Sequence, residues 1–159
     1  MLVYGGAAQT YFGYNAENLA SSGITVEADV PTGDAGVEIS DNIGVLSFYG
    51  ATLVHKSKIA VRFYFTGSTE GLSFTVSGEN VDVSEKNGMY YVEIAGINPQ
   101  DLGNNVTVVV TDGTDSLSVS YSPLDYMIRM YNKVDSTDAT KAVVQALYSY
   151  YQAAIAYTA

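Results

Sequence analysis

Apolar residues recur along this chain with two periods, and the changes between them divide it in three. At the start, Met1, Tyr4, Ala8 and Tyr11 fall at helical spacing and Ala16-Glu17-Asn18-Leu19-Ala20 continues with good helix formers. The pattern predicts a helix over residues 1–21, interrupted near Gly13 and Asn15 and ended by Ser22-Gly23. From Ile24 the period becomes two. Ile24, Val26, Ala28 and Val30 alternate with polar residues up to the turn Pro31-Thr32-Gly33-Asp34, and Val37 to Ile39 predicts a short second strand. Val45 to Val54 is a longer apolar stretch broken by Gly50. Ile59, Val61, Phe63 and Phe65 give the cleanest alternation in the chain. Leu72, Phe74 and Val76 repeat it, Val81 and Val83 follow a turn at Gly78, and Tyr90, Val92 and Ile94 come after Asn87-Gly88, the strongest short hairpin signal. Val106, Val108 and Val110 and then Leu117, Val119 and Tyr121 flank a last turn, Asp112-Gly113-Thr114-Asp115.

After Tyr121 the helical period returns. Ser122 is a helix cap, Pro123 suits a first turn, and Asp125 favours the positive helix end. A helix is predicted from Leu124 to about Val134, a break and new cap at Asp135-Ser136-Thr137-Asp138, and a second helix to about Tyr157. That second helix carries a heptad seam of Ala139, Val143, Ala146, Tyr150, Ala153 and Tyr157. Beside it runs a further apolar stripe, Val144, Tyr148, Tyr151 and Ile155, leaving Lys141, Gln145, Ser149 and Gln152 as a narrow polar face. A helix apolar on two sides is packed twice or offers one side to a partner.

The predicted fold is mainly β with flanking helices. It is an immunoglobulin-like antiparallel β-sandwich over 24–121, with an N-terminal helix over 1–21 and a C-terminal helical hairpin over 122–158 packed together. Eight or nine short strands spaced near ten residues apart carry that expectation. Ile97 to Leu102 reads as an inter-sheet corner. The 159 residues make one module, long enough for a real core.

Charge narrows the partners. Seven Lys+Arg against 17 Asp+Glu give a net charge of -10, with no basic patch, so nucleic acid and anionic membrane surfaces are disfavoured. No apolar run reaches the length of a membrane span. Met1-Leu2-Val3 runs directly into the helical pattern, with no basic stretch or cleavage site, and does not read as a signal peptide. The chain has no cysteine, which removes disulfides, thiolate metal sites and cysteine nucleophiles.

Little else points to a reaction. The one histidine, His55, lies between two strands with no partner for a triad or zinc site nearby in sequence, and no nucleophile elbow or phosphate-binding glycine loop is present. The many acids sit at outward strand positions or in turns. Asp112 to Asp115 departs from EF-hand spacing and fits a hairpin turn equally well. Asn105-Val106-Thr107 is a glycosylation sequon only in a eukaryotic secretory host. The expectation is a non-enzyme with no cofactor and no metal. Tyrosine stands out: 14 residues, with no tryptophan. Tyrosine supplies large amphipathic contact area at low entropy cost. Met89, Tyr91 and Glu93 share one outward face, and Arg62 and Tyr64 share another. The contact candidates are Tyr64 and Tyr91 on strands and Tyr148, Tyr151 and Ile155 on the last helix.

One octad occurs at both ends of the chain. Tyr4-Gly5-Gly6-Ala7-Ala8-Gln9-Thr10-Tyr11 and Tyr150-Tyr151-Gln152-Ala153-Ala154-Ile155-Ala156-Tyr157 both fit Tyr-x-x-Ala-Ala-x-x-Tyr, which marks the chain as one bead of a tandem array. Aligned, the seam residues match and the second stripe differs, as a contact face would. With the helix-sandwich-helix order and Tyr121-Ser122-Pro123-Leu124-x-Tyr126, the octad resembles repeat modules of secreted or wall-anchored surface proteins of gut-commensal Gram-positive bacteria. Some proteins of this kind are B-cell superantigens that bind immunoglobulin heavy-chain variable domains outside the antigen site. The resemblance implies an extracellular location at the bacterial cell surface and a host protein partner, with the immunoglobulin Fab as the suspected one. The isolated module is expected to be monomeric. A spacer in a surface stalk and a carbohydrate-binding module remain as alternatives.

Overall fold

A computed structural model describes Ala7, residues 29–55 and residues 58–158. The predicted helix over 1–21, apart from Ala7, the strand from Ile24 up to Ala28 and the first copy of the octad lie outside the described residues. So does the side chain of His55.

The described chain is mainly antiparallel β, with nine strands in two sheets and two long helices. The strands are β1 (Glu38–Asp41), β2 (Leu46–His55), β3 (Ile59–Gly67), β4 (Ser73–Val76), β5 (Glu79–Asn80), β6 (Ser84–Lys86), β7 (Met89–Ala95), β8 (Val106–Thr111) and β9 (Ser116–Tyr121). One sheet has the order β2-β3-β7-β6 and the other β1-β9-β8-β4-β5. Each is made of two hairpins laid side by side, and the five-stranded sheet adds β1 at one edge. The sequence dictates two of those hairpins locally. Asn87-Gly88 and Ser77-Gly78 both take positive φ at their two central residues (56° and 74°, 52° and 81°), the geometry that matches strand twist in a two-residue turn. The second of these moves the strands from Val81 and Val83, where alternation placed them, to β5 and β6 on either side.

Alternation predicts the inner faces well. Val61, Phe63 and Phe65 of β3, Val108 and Val110 of β8, and Val119 and Tyr121 of β9 are all buried to within 1% of full burial. The Phe65 ring meets Phe48 of β2 at 5.9 Å and Phe74 of β4, in the other sheet, at 5.6 Å, both edge-on. In β2 the parity reverses. Phe48 stands opposite Phe65 and Gly50 opposite Tyr64, so Tyr49 is an extra residue in a β-bulge. The bulge returns Ala51 and Leu53 to the core and leaves Tyr49 68% exposed.

The helices are α1 (Pro123–Asn132) and α2 (Asp138–Thr158). The start of α1 is a reciprocal cap. The Ser122 hydroxyl accepts from the Asp125 N–H at 3.0 Å, while Asp125 Oδ2 accepts from the Ser122 N–H at 2.9 Å and from its hydroxyl at 2.7 Å. Thr137 caps α2, its hydroxyl accepting from the Thr140 N–H at 3.1 Å.

By contacts the chain forms two compact units. One holds Gly36–Asn98 and Gly103–Tyr126, with both sheets. The other holds Pro99–Leu102, Met127 onwards and the described residues up to Ala35. In this helical unit α2 packs on a 3-10 turn, Pro99–Asp101, at the predicted corner. Among its described residues, Leu102, Met127, Ile128, Val144, Ala146 and Leu147 are buried.

Candidate binding surface

Two of the five predicted contact residues come together on the outer face of the four-stranded sheet. β3 pairs with β7 in a register that sets Tyr64 opposite Tyr91 and Arg62 opposite Glu93. The two faces read separately from the sequence are therefore one face. The tyrosine rings lie 5.7 Å apart, tilted by 43°. Arg62 Nε donates to Glu93 Oε2 at 2.5 Å, and the guanidinium carbon sits 4.7 Å from the centre of the Tyr91 ring. A side-chain hydrogen bond with Tyr64 is the largest cause that raises the Arg62 pKa above its ordinary value; the Glu93 carboxylate adds to it, against a desolvation cost. The cation lies between the Glu93 carboxylate and the Tyr91 ring.

The strands on either side place small residues beside the tyrosines. Gly50 of β2 stands opposite Tyr64, and Ser84 of β6 opposite Tyr91. Both are small, and Tyr64 and Tyr91 are half-buried, as Arg62 and Glu93 are. Arg62 and Glu93 were not among the predicted contact residues. Their signal lies in the alternation itself: Arg62 and Tyr64 share one parity, Glu93 and Tyr91 another. A register that sets tyrosine against tyrosine then sets the cation against the anion.

The other three predicted residues stand on α2. Tyr148 and Tyr151 are half-buried, with ring centroids 6.2 Å apart and planes tilted by 41°. Ile155 is 39% exposed. Their stripe starts inside the unit, because Val144 is buried. The neighbouring polar face is less solvated than the pattern predicts: Ser149 Oγ and Gln152 Oε1 are buried with no hydrogen-bond partner among the described residues. Towards the end of the helix the seam comes out into solvent, with Ala153 exposed and Tyr157 92% exposed.

The acidic turn between β8 and β9 turns its carboxylate on its own backbone. Asp112 Oδ1 accepts from the N–H groups of Thr114 and Asp115, each at 2.8 Å, and these bonds hold its pKa below the usual carboxylate value. Among the described residues no group of three His, Cys, Asp or Glu side chains could hold a metal ion, and no helix is long and apolar enough to cross a membrane. No protein-family model, curated protein or solved structure matches the chain.

Proposed function

We propose that this chain is a non-enzymatic protein-binding module of a bacterial surface protein, and that the outer face of its four-stranded sheet is the contact surface. The observation that carries the reading is the Arg62-Tyr64-Tyr91-Glu93 cluster. Tyrosine and arginine dominate interface hot spots, and here they are fixed by a strand register and by one another before any partner arrives. The fold in this reading is an immunoglobulin-like sandwich. Its support is the strand order: β2-β3-β7-β6 follows the A-B-E-D order of that fold, and β5-β4-β8-β9 follows C′-C-F-G. A host immunoglobulin variable domain is the partner to test first, because the sequence resemblance points there.

Wild-type chain and the variants Tyr64→Ala, Tyr91→Ala, Tyr148→Ala and Tyr151→Ala, passed over immobilised human Fab fragments, test the proposal. The expected result is binding by wild type, weakening by about 30-fold in Tyr91→Ala, as a hot-spot loss gives, and no change in the two α2 variants. Wild type that does not bind Fab removes the immunoglobulin partner. Loss confined to the α2 variants moves the surface to the helix. The geometry weighs against a sugar platform, which needs coplanar free ring faces. The two rings are inclined, and Arg62 occupies one face of Tyr91.

A further inference from the structure

We propose a second interaction site: the outer edge of β1 accepts an added strand from a partner polypeptide, one with an apolar residue at its centre and basic residues at its flanks. This goes beyond the tyrosine face and does not depend on it. Among the described strands, four lie at sheet edges, β1 and β5 in one sheet and β2 and β6 in the other. β5 and β6 have two and three residues. β2 is bulged at Tyr49, and its Ala51 already has an interaction of its own. β1 is four residues long, exposed at every one of them, and among the described residues it pairs with β9 alone. A bare strand edge offers a row of N–H and C=O groups, and an extended chain satisfies that row.

The inner face of the sheet says what such a chain carries. Ile39 is paired with Val119, which pairs with Val108, which pairs with Val76, so these four form one row on the core side. Val119 and Val108 are fully buried, yet Ile39 is 54% exposed. Its neighbours on one side cover it, and nothing described covers it on the other. A strand added about 4.8 Å beyond β1 sets a side chain directly beside Ile39 and extends the row by one. Glu38 and Asp41 open and close β1, both exposed, on a chain whose net charge is -10. They favour basic residues on the incoming strand. They also oppose a second copy of this chain, whose β1 would bring the same two acids to the junction.

The test uses the whole chain, isotopically labelled, and a short soluble peptide alternating Val and Thr with Lys at both ends. Amide hydrogen exchange and chemical shifts report where it binds. The expected result is slowed exchange and shifted resonances at Glu38 to Asp41, including the Ile39 methyls. A twin peptide ending in Glu should bind about fivefold more weakly, the effect of two exposed ion pairs of ordinary strength. Ile39→Lys should abolish binding while keeping the wild-type circular dichroism, since the position is half-open. The proposal is overturned if protection falls on another edge or on the tyrosine face, or if the two peptides bind equally. It is also overturned if β1 amides slow with protein concentration in the absence of peptide, which makes a second copy the occupant. Failure of Fab binding leaves these readouts untouched, so the two proposals fail separately.

Discussion

The two tyrosine pairs of this molecule have nearly the same internal geometry and unlike surroundings. Tyr64 and Tyr91 lie 5.7 Å apart at 43°, Tyr148 and Tyr151 6.2 Å apart at 41°. The first pair joins residues distant in sequence and exists only if β3 and β7 take one register. The second joins neighbours one helical turn apart and follows from helix geometry alone. The sheet pair is further fixed by a guanidinium on one ring and its carboxylate partner. Closeness of rings is thus cheap on a helix and specific on a sheet. The specific arrangement is the one that carries a binding proposal.

The largest test of that difference is the frame under the sheet pair. Gly67 ends β3 with φ of 121°, and a Cβ placed there would lie 2.3 Å from the carbonyl oxygen of Val45. That oxygen also accepts from the Ser68 N–H at 2.9 Å. Gly67→Ala therefore combines a forbidden backbone region with a clash against backbone that cannot rotate away. Urea unfolding should show a loss of about 3 kcal/mol or more. A cost under about 1 kcal/mol would mean that the β2–β3 junction can yield, and that the tyrosine pair is less rigidly based than the helical one.

The helical pair rests instead on a local device. Thr137 caps α2 through the Thr140 N–H, and its carbonyl accepts from the Lys141 N–H at 3.0 Å. Thr137→Ala should cost about 1 kcal/mol, while Thr137→Ser should cost only a few tenths of that. If both substitutions are silent, the start of α2 is held by its packing on the 3-10 turn rather than by its cap.

Sequence pattern carried the helix caps, the Asn87-Gly88 hairpin and the inner faces of β3, β8 and β9, because each follows from a local rule about turn chemistry or period. It carried less where the rule is non-local. The break at Gly50 in the apolar stretch of β2 marks where regular alternation ends, and only pairing with β3 shows that Tyr49 is the extra residue. The single outer face of Arg62, Tyr64, Tyr91 and Glu93 needed the β3–β7 pairing, which joins strands separated by the whole β4–β6 excursion. On α2 the polar face predicted for Ser149 and Gln152 fails for the converse reason. Helical periodicity says which residues share a side, and it does not say which side is covered.

A smaller effect separates the sheet pair from its support. Arg62→Met keeps much of the stem packing over Tyr91 and removes the charge, the ion pair and the hydrogen bonds. Because both charged side chains are partly open to solvent, at 15% and 27%, the stability loss should be about 0.5 kcal/mol. The near-ultraviolet circular dichroism of the tyrosines should change more than the melting curve does. An unchanged tyrosine signal would show that the ring tilt is set by strand register alone, as the tilt on α2 is set by the helix.

The smallest effect lies in the turn between β8 and β9, where a carboxylate acts on its own backbone and belongs to neither tyrosine pair. Hydrogen bonds from Asp115 first and Thr114 second lower the Asp112 pKa. A folded-state pKa below the unfolded one contributes stability above the ordinary carboxylate value, about 3.9. That contribution is lost as pH falls from there through the folded value. The amide resonances of Thr114 and Asp115 should therefore titrate with a midpoint below the ordinary range and move downfield or upfield together. Asp112→Asn should erase the titration while leaving the hairpin intact, since the amide oxygen can still accept from both N–H groups. The Tyr64 and Tyr91 ring resonances should not follow that acid step. If they do, the turn and the tyrosine face are coupled, and the sheet pair is less self-contained than its register implies.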